Sequence, residues 1–100
     1  MRPREHIVSI TVSGGSGTGV EYFRDECLKQ ICFKPPSDAS VYDVSIVNKN
    51  LTQVFKESDI QGETDVQKDS LFLGTMTISV SNASVDGTYK LTFFSYELPN

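Results

Sequence analysis

Four stretches of this chain alternate apolar and polar residues with a period of two. Between His6 and Ser13, Val8, Ile10 and Val12 fall on one face and Ser9, Thr11 and Ser13 on the other. From Val41 to Val47 the apolar face carries Tyr42, Val44 and Ile46, and from Thr75 to Ser81 it carries Met76, Ile78 and Val80. From Thr88 to Glu97, Tyr89, Leu91 and Phe93 oppose Lys90, Thr92, Phe94 and Tyr96. Successive side chains of a strand point to opposite faces, so this pattern predicts half-buried strands; a helix would need apolar residues three and four apart. Composition agrees. Val, Ile and Thr supply 24 residues and Ala only 2, and Cβ branching favours the pleated surface over the helix.

Between these stretches the residues punctuate. Residues 1–5 read as an N-terminal arm and 14–19, with four glycines, as a flexible loop. Pro35-Pro36-Ser37-Asp38 forms a loop, and Asn48-Lys49-Asn50 makes a tight turn into a returning strand from Leu51 to Lys56. Glu57 to Ser70, rich in acids, reads as exposed with a short strand at Thr64 to Gln67. The segment from Val20 to Phe33 fits two readings. Phe23, Cys27, Leu28, Ile31 and Cys32 have helical spacing, yet Leu28 to Lys34 reads as strand, leaving at most one short helical turn near residues 21–27. Turn signals recur every eight to twelve residues, so the expected fold is all-β: one domain over residues 1–100, a single antiparallel jelly-roll-like β-sandwich of six to eight short strands.

Several function classes fall away. A net charge of −4 gives no general attraction for phosphate backbones, so no nucleic-acid partner is expected. No run approaches the ~20 apolar residues that cross a bilayer, and Met1 to His6 leads into no long apolar region of the signal-peptide kind. Gly14 to Gly19 has the end spacing of a phosphate loop, but Val20-Glu21 stand where lysine and a hydroxyl residue would hold phosphate and magnesium. His6 is the sole histidine, with no Ser or Cys placed beside it by a recognisable motif, so no catalytic residues are assigned and no enzyme is expected. The acids from Glu57 to Asp69 lack the order of a calcium loop and read as solvated; no metal or cofactor is expected. Cys27 and Cys32, five apart, would lie roughly 16 Å from each other on a strand, beyond the ~7 Å reach of a disulfide, and read as buried thiols.

What remains is surface. Tyr89, Leu91 and Phe93 already supply a core face, so Phe94 and Tyr96 form an aromatic pair on the other side of the same strand, suited to contact with another protein. The expected protein-contact residues are Arg2, Arg4 and His6 near the N-terminus, Gly15 and Gly17 in the glycine loop, and Phe94 and Tyr96.

Three segments carry a resemblance: Leu28 to Pro36, Tyr42 to Ile46, and Ile78 to Tyr89. Together they resemble small β-sandwich structural proteins of tailed-bacteriophage virions, of the capsid decoration (cement) type or the head and tail accessory type. Tyr42-Asp43, Leu71 to Thr75 and Gly87 to Thr92 also resemble jelly-roll domains of the bacterial pre-peptidase C-terminal type, from which the chain departs in lacking a secretion signal and an attached enzyme. The first resemblance implies a virion location, assembly in the host cytoplasm, and the major capsid protein or other virion proteins as partners. It also implies a homo-oligomer, with a trimer at a threefold axis as one arrangement. A carbohydrate-binding module is the alternative, for which Tyr22, Tyr42, Tyr89 and Tyr96 are the available platforms.

Overall fold

A computed structural model describes residues 2–99. It contains β1 (Arg2–Val12), β2 (Gly17–Lys34), β3 (Val41–Asn48), β4 (Gln53–Gln61), β5 (Thr64–Ser81) and β6 (Gly87–Glu97). The alternating stretches become β1, β3, the second half of β5, and β6, with the expected residues inward. The strands form one antiparallel sheet in the order β1-β6-β2-β5-β3-β4.

Two strands of 18 residues, β2 and β5, make that single sheet into a sandwich. They pair along nearly their whole length, from Gly17↔Val80 to Phe33↔Thr64. Their outer neighbours take only halves: β6 bonds β2 from Glu26 to Lys34, and β3 bonds β5 from Met76 to Ser81. Between the halves β2 shifts register from Phe23 to Glu26, and β5 passes through Gly74 at φ +79. Both strands therefore bend at one corner and run from one layer into the other, as bulges and glycines allow. One layer holds β1, β6, the second half of β2 and the first half of β5. The other holds β4, β3, the second half of β5 and the first half of β2.

The core lies between the layers, and aromatic pairs bridge it. Phe33 from the first layer meets Tyr42 and Phe55 of the second, with ring centroids 6.5 and 6.1 Å apart, and Tyr42 meets Tyr89 at 5.0 Å. At the corner Phe23 packs edge-on against Phe72 and Phe93. Such geometries suit the ring quadrupole and add roughly 0.5–1.5 kcal/mol per pair beyond burial.

Several local expectations change. The arm is no arm from Arg2 onward: it is paired with β6, starting at Arg2↔Glu97. The glycine loop shrinks to a turn at Gly14-Gly15 bridged by Ser13 and Ser16, and it is tethered. Both glycine amides donate to the Asp86 carboxylate at 3.0 Å, and Ala83 N donates to Gly15 O at 3.0 Å. Residues 21–27 are strand with a bulge, because β5 and β6 supply backbone partners that helical spacing does not reveal. In the acid-rich stretch the strand expected at Thr64 to Gln67 is present but is longer, as the start of β5, and Glu57 to Gln61 belong to β4.

Gly17 and Gly19 lie in β2 where the layers come closest. A Cβ on Gly17 would sit 2.3 Å from the Thr11 carbonyl oxygen, and one on Gly19 would meet Ile10 and Val8 at 3.0 Å. Backbone cannot yield as a flexible side chain can, so Gly17→Ala is expected to cost about 3 kcal/mol in urea unfolding. Gly14→Ala, with φ +65 and open space around it, should cost only about 1 kcal/mol.

Candidate functional site

The corner of β2 encloses a buried ionic network. His6 projects inward from β1 and is 6% exposed; its Nδ1 meets Glu21 Oε2 at 2.8 Å and its Nε2 meets Glu26 Oε1 at 2.7 Å. Glu21 precedes the bulge and Glu26 follows it, so one imidazole ties together the two arms of the bend. The ring also packs on Phe23, centroid to centroid 4.3 Å. With a proton on each nitrogen, both contacts are donor-to-acceptor bonds.

Glu26 is fully buried. It accepts further bonds from Ser95 Oγ at 2.5 Å and Arg24 N at 2.8 Å. Burial pushes its carboxyl up, but the bonds from Ser95, His6 and Arg24 outweigh this and hold it below the ordinary glutamate value of 4.5. Serine, histidine and a carboxylate meet here without forming a nucleophile: Ser95 donates to Glu26 and has no bond to His6. The two ring nitrogens face different carboxylates, and among the described residues no group of three or more His, Cys, Asp or Glu is placed to hold a metal ion. His6 is thus a buried strut and not the surface contact expected of it.

The outer face of the first layer is different in kind. Register aligns Pro3, Tyr96, Cys27 and Leu71 in one row across β1, β6, β2 and β5, and Glu5, Phe94, Gln30 and Gln67 in the next. Phe94 and Tyr96 are 38% and 41% exposed and Leu71 is 53% exposed. A shallow groove of about 300 Å3 is lined by Pro3, Arg4, Lys29, Gln30, Phe94 and Tyr96. Ion pairs border it: Arg4 with Glu97 at 2.8 Å and Lys29 with Asp69 at 2.9 Å. Asp69 raises the Lys29 ammonium above its ordinary value.

Of the residues expected at a contact surface, Arg4, Phe94 and Tyr96 therefore share one groove, with exposed Arg2 beyond it on β1. Gly15 and Gly17 lie at the opposite end of β1 and serve the turn and the layer contact. The sequence reading missed Pro3, Cys27 and Leu71, whose place in the row depends on long-range register. Neither thiol is buried as expected. Cys27 and Cys32 are free and half-buried, and burial together with a bond to Asp65 pushes Cys32 up to about 11.

Two of the four tyrosines are removed as ligand platforms. Tyr42 donates to Gly62 O at 2.9 Å and Tyr89 to Val85 O at 2.6 Å, both inside the core. Burial raises Tyr42 well above its ordinary value. Tyr22, 63% exposed, stands beside Arg24, Asp25, Glu97 and Leu98 around an open cleft of about 210 Å3.

By sequence, neither a family model nor a curated protein matches the chain. Among solved structures, a chain of infectious bursal disease virus, Gx strain, is similar at 9% identity and a TM-score of 0.43. The match covers 97% of this chain and 33% of that one, so the chain spans about a third of the viral chain's length. A likeness at that score carries no inference about fold or role.

The corner network predicts an acid limb in stability. Because the folded-state value of Glu26 is depressed, its contribution is complete above pH 4.5 and is lost as pH falls through the lower folded value. Glu26→Gln is expected to cost about 3 kcal/mol at neutral pH and to flatten that limb, read from urea midpoints between about pH 7 and 3.

Proposed function

We propose that this protein is a non-enzymatic virion structural protein that binds an assembled shell and stabilises it, in the manner of a capsid decoration protein. The observation that carries the reading is the outer face of the first layer. An aromatic pair and a cross-strand apolar row lie open there, with the Lys29–Asp69 ion pair beside them and exposed Glu5 opposite Phe94. Protein interfaces share that anatomy of an apolar centre with a polar border. The resemblance of Leu28 to Pro36, Tyr42 to Ile46 and Ile78 to Tyr89 to phage virion sandwiches supports the same role. A head–tail or tail accessory role would use the same face against a different virion partner.

The ionisable groups inside the sandwich support a non-enzymatic role. His6, Glu26 and Ser95 are bonded within the corner, with Ser95 donating to Glu26 and not to His6. Stabilisation would come from mass action: a subunit that binds only the assembled shell favours it in proportion to occupancy, and bridging neighbouring subunits adds avidity.

A carbohydrate-binding role is the second reading, favoured by one observation. Tyr22 presents a free aromatic face next to the guanidinium of Arg24 and the carboxylate of Asp25, both extruded from the ladder by the bulge. That combination suits a sugar ring stacked on tyrosine with its hydroxyls bonded at the edge.

Purified shells separate these readings. Added protein is expected to co-sediment with shells and raise the temperature at which they open, and Phe94→Ser/Tyr96→Ser is expected to weaken binding at least tenfold, each interface aromatic contributing about 1–2 kcal/mol. No binding, or binding unaffected by that double variant, overturns the shell role. Glycan binding abolished by Tyr22→Ala and indifferent to the Phe94/Tyr96 change would establish the second.

A further inference from the structure

Along the first half of β5 the sheet has a long edge without a partner. From Thr64 to Thr75, β5 is bonded to β2 on one side only, and β3 takes up its other side from Met76 onward. The edges of β4 and β1 are blunted, and the first half of β2, unpaired on the side away from β5, lies against β1. On β4, Lys56, Glu57, Ser58 and Asp59 are exposed in succession, and Asp59 adopts φ 56. On β1, Pro3 lacks an N–H, and the far end packs with its Thr11 carbonyl against Gly17 of β2. Charged residues, proline and covered ends are the usual protections of a sheet edge. The β5 edge lacks them over its aliphatic end: Leu71 and Leu73 stand 53% and 47% exposed there.

We propose that this edge pairs with the same edge of a second copy of the chain, antiparallel, across a two-fold axis at Phe72. Alternation places Asp65, Gln67, Asp69, Leu71 and Leu73 on the outer face, acidic at one end and aliphatic at the other. In a two-fold pair residues of the same face oppose each other, so the axis passes through a residue, and charge decides which one. An axis at Gln67 sets Asp65 against Asp69. Axes at Lys68 and Asp69 set each residue against its own copy. An axis at Ser70 sets Lys68 against Phe72, and one at Leu71 sets Asp69 against Leu73. The axes that pair at least seven residues of the free edge run from Gln67 to Phe72, and of these only the one at Phe72 leaves every charge within the edge without a like or apolar opponent. There Leu71 opposes Leu73 twice, Ser70 opposes Gly74, and Asp69 opposes Thr75. Gly74 has open space where a Cβ would stand, which leaves room for the approaching strand. Tyr22 pairs with Thr75, so its exposed ring flanks the resulting cluster of four leucines.

This contact shares Leu71 with the outer apolar row but does not use Phe94 or Tyr96, so variants of that pair separate it from the proposed shell docking. Sedimentation velocity over about 1–500 µM tests it: mass is expected to rise with concentration from the 11.1 kDa protomer to twice that value. Leu71→Lys/Leu73→Lys and Leu71→Asp/Leu73→Asp should each remain monomeric at the highest concentration. Both should keep the parent's circular dichroism and melting profile, since the leucines are exposed. An equimolar mixture of the two variants should recover the dimer, because each lysine then opposes an aspartate. Phe94→Ser/Tyr96→Ser should dimerise like the parent. A parent that stays monomeric throughout, a dimer that survives the double aspartate variant, or a charge-reversed mixture that fails to associate overturns the proposal.

Discussion

The bend shared by β2 and β5 is the constraint on which the rest depends. A straight six-stranded sheet of this sequence would leave its whole apolar face open to water. By turning at Phe23 to Glu26 and at Gly74, the two long strands fold the sheet over so that its halves cover each other. A bend in two paired strands needs something to hold it, and His6 spans it between Glu21 and Glu26. Removing an ionised carboxylate from water is costly unless its oxygens are satisfied. Glu26 meets that condition with bonds from His6, Ser95 and the Arg24 amide, drawn from three positions around the corner.

Closure at the corner decides what the surface can do. Because β1 crosses close over the first half of β2, where Gly17 and Gly19 leave room for it, the core is sealed on that side. Phe33, Tyr42, Tyr89 and Phe93 fill the interior, and His6 and Glu26 lie inside it bonded to each other. The outward apolar residues make up the candidate surface. Several of them gather on one face of the first layer. Pro3, Tyr96, Cys27 and Leu71 fall in one row because four strands bring them to the same level, and Phe94 lies in the adjacent row.

Much of the fold can be read from the chain where alternation is unbroken. Val8 to Val12, Tyr42 to Ile46, Met76 to Val80 and Tyr89 to Phe93 point inward as their spacing dictates, because strand geometry is local and strict. Reading fails where that regularity is interrupted. Between Phe23 and Gln30 two register shifts reset which side chains face inward, so the stretch mimics helical spacing while remaining strand. The early part of β5 is read at Thr64 to Gln67, but its continuation through Lys68 to Ser70 fails for another reason. Its residues are polar on both faces, and β2 enforces strand there through backbone bonds that no side chain advertises. The candidate face was half visible: Phe94 and Tyr96 stood out as aromatics opposite a core face, but Pro3, Cys27 and Leu71 did not.

Residue order by itself set the all-β class, the inward partners of the regular strands, and the aromatic pair left facing out, since all three follow from side-chain alternation along one strand. Tertiary folding alone assigned His6 to the interior, converted the glycine loop into a tethered turn, and lined up the apolar row. Those outcomes rest on which strands become neighbours and at what register, a global choice made by closing one core. Neighbouring residues along the chain carry no record of it.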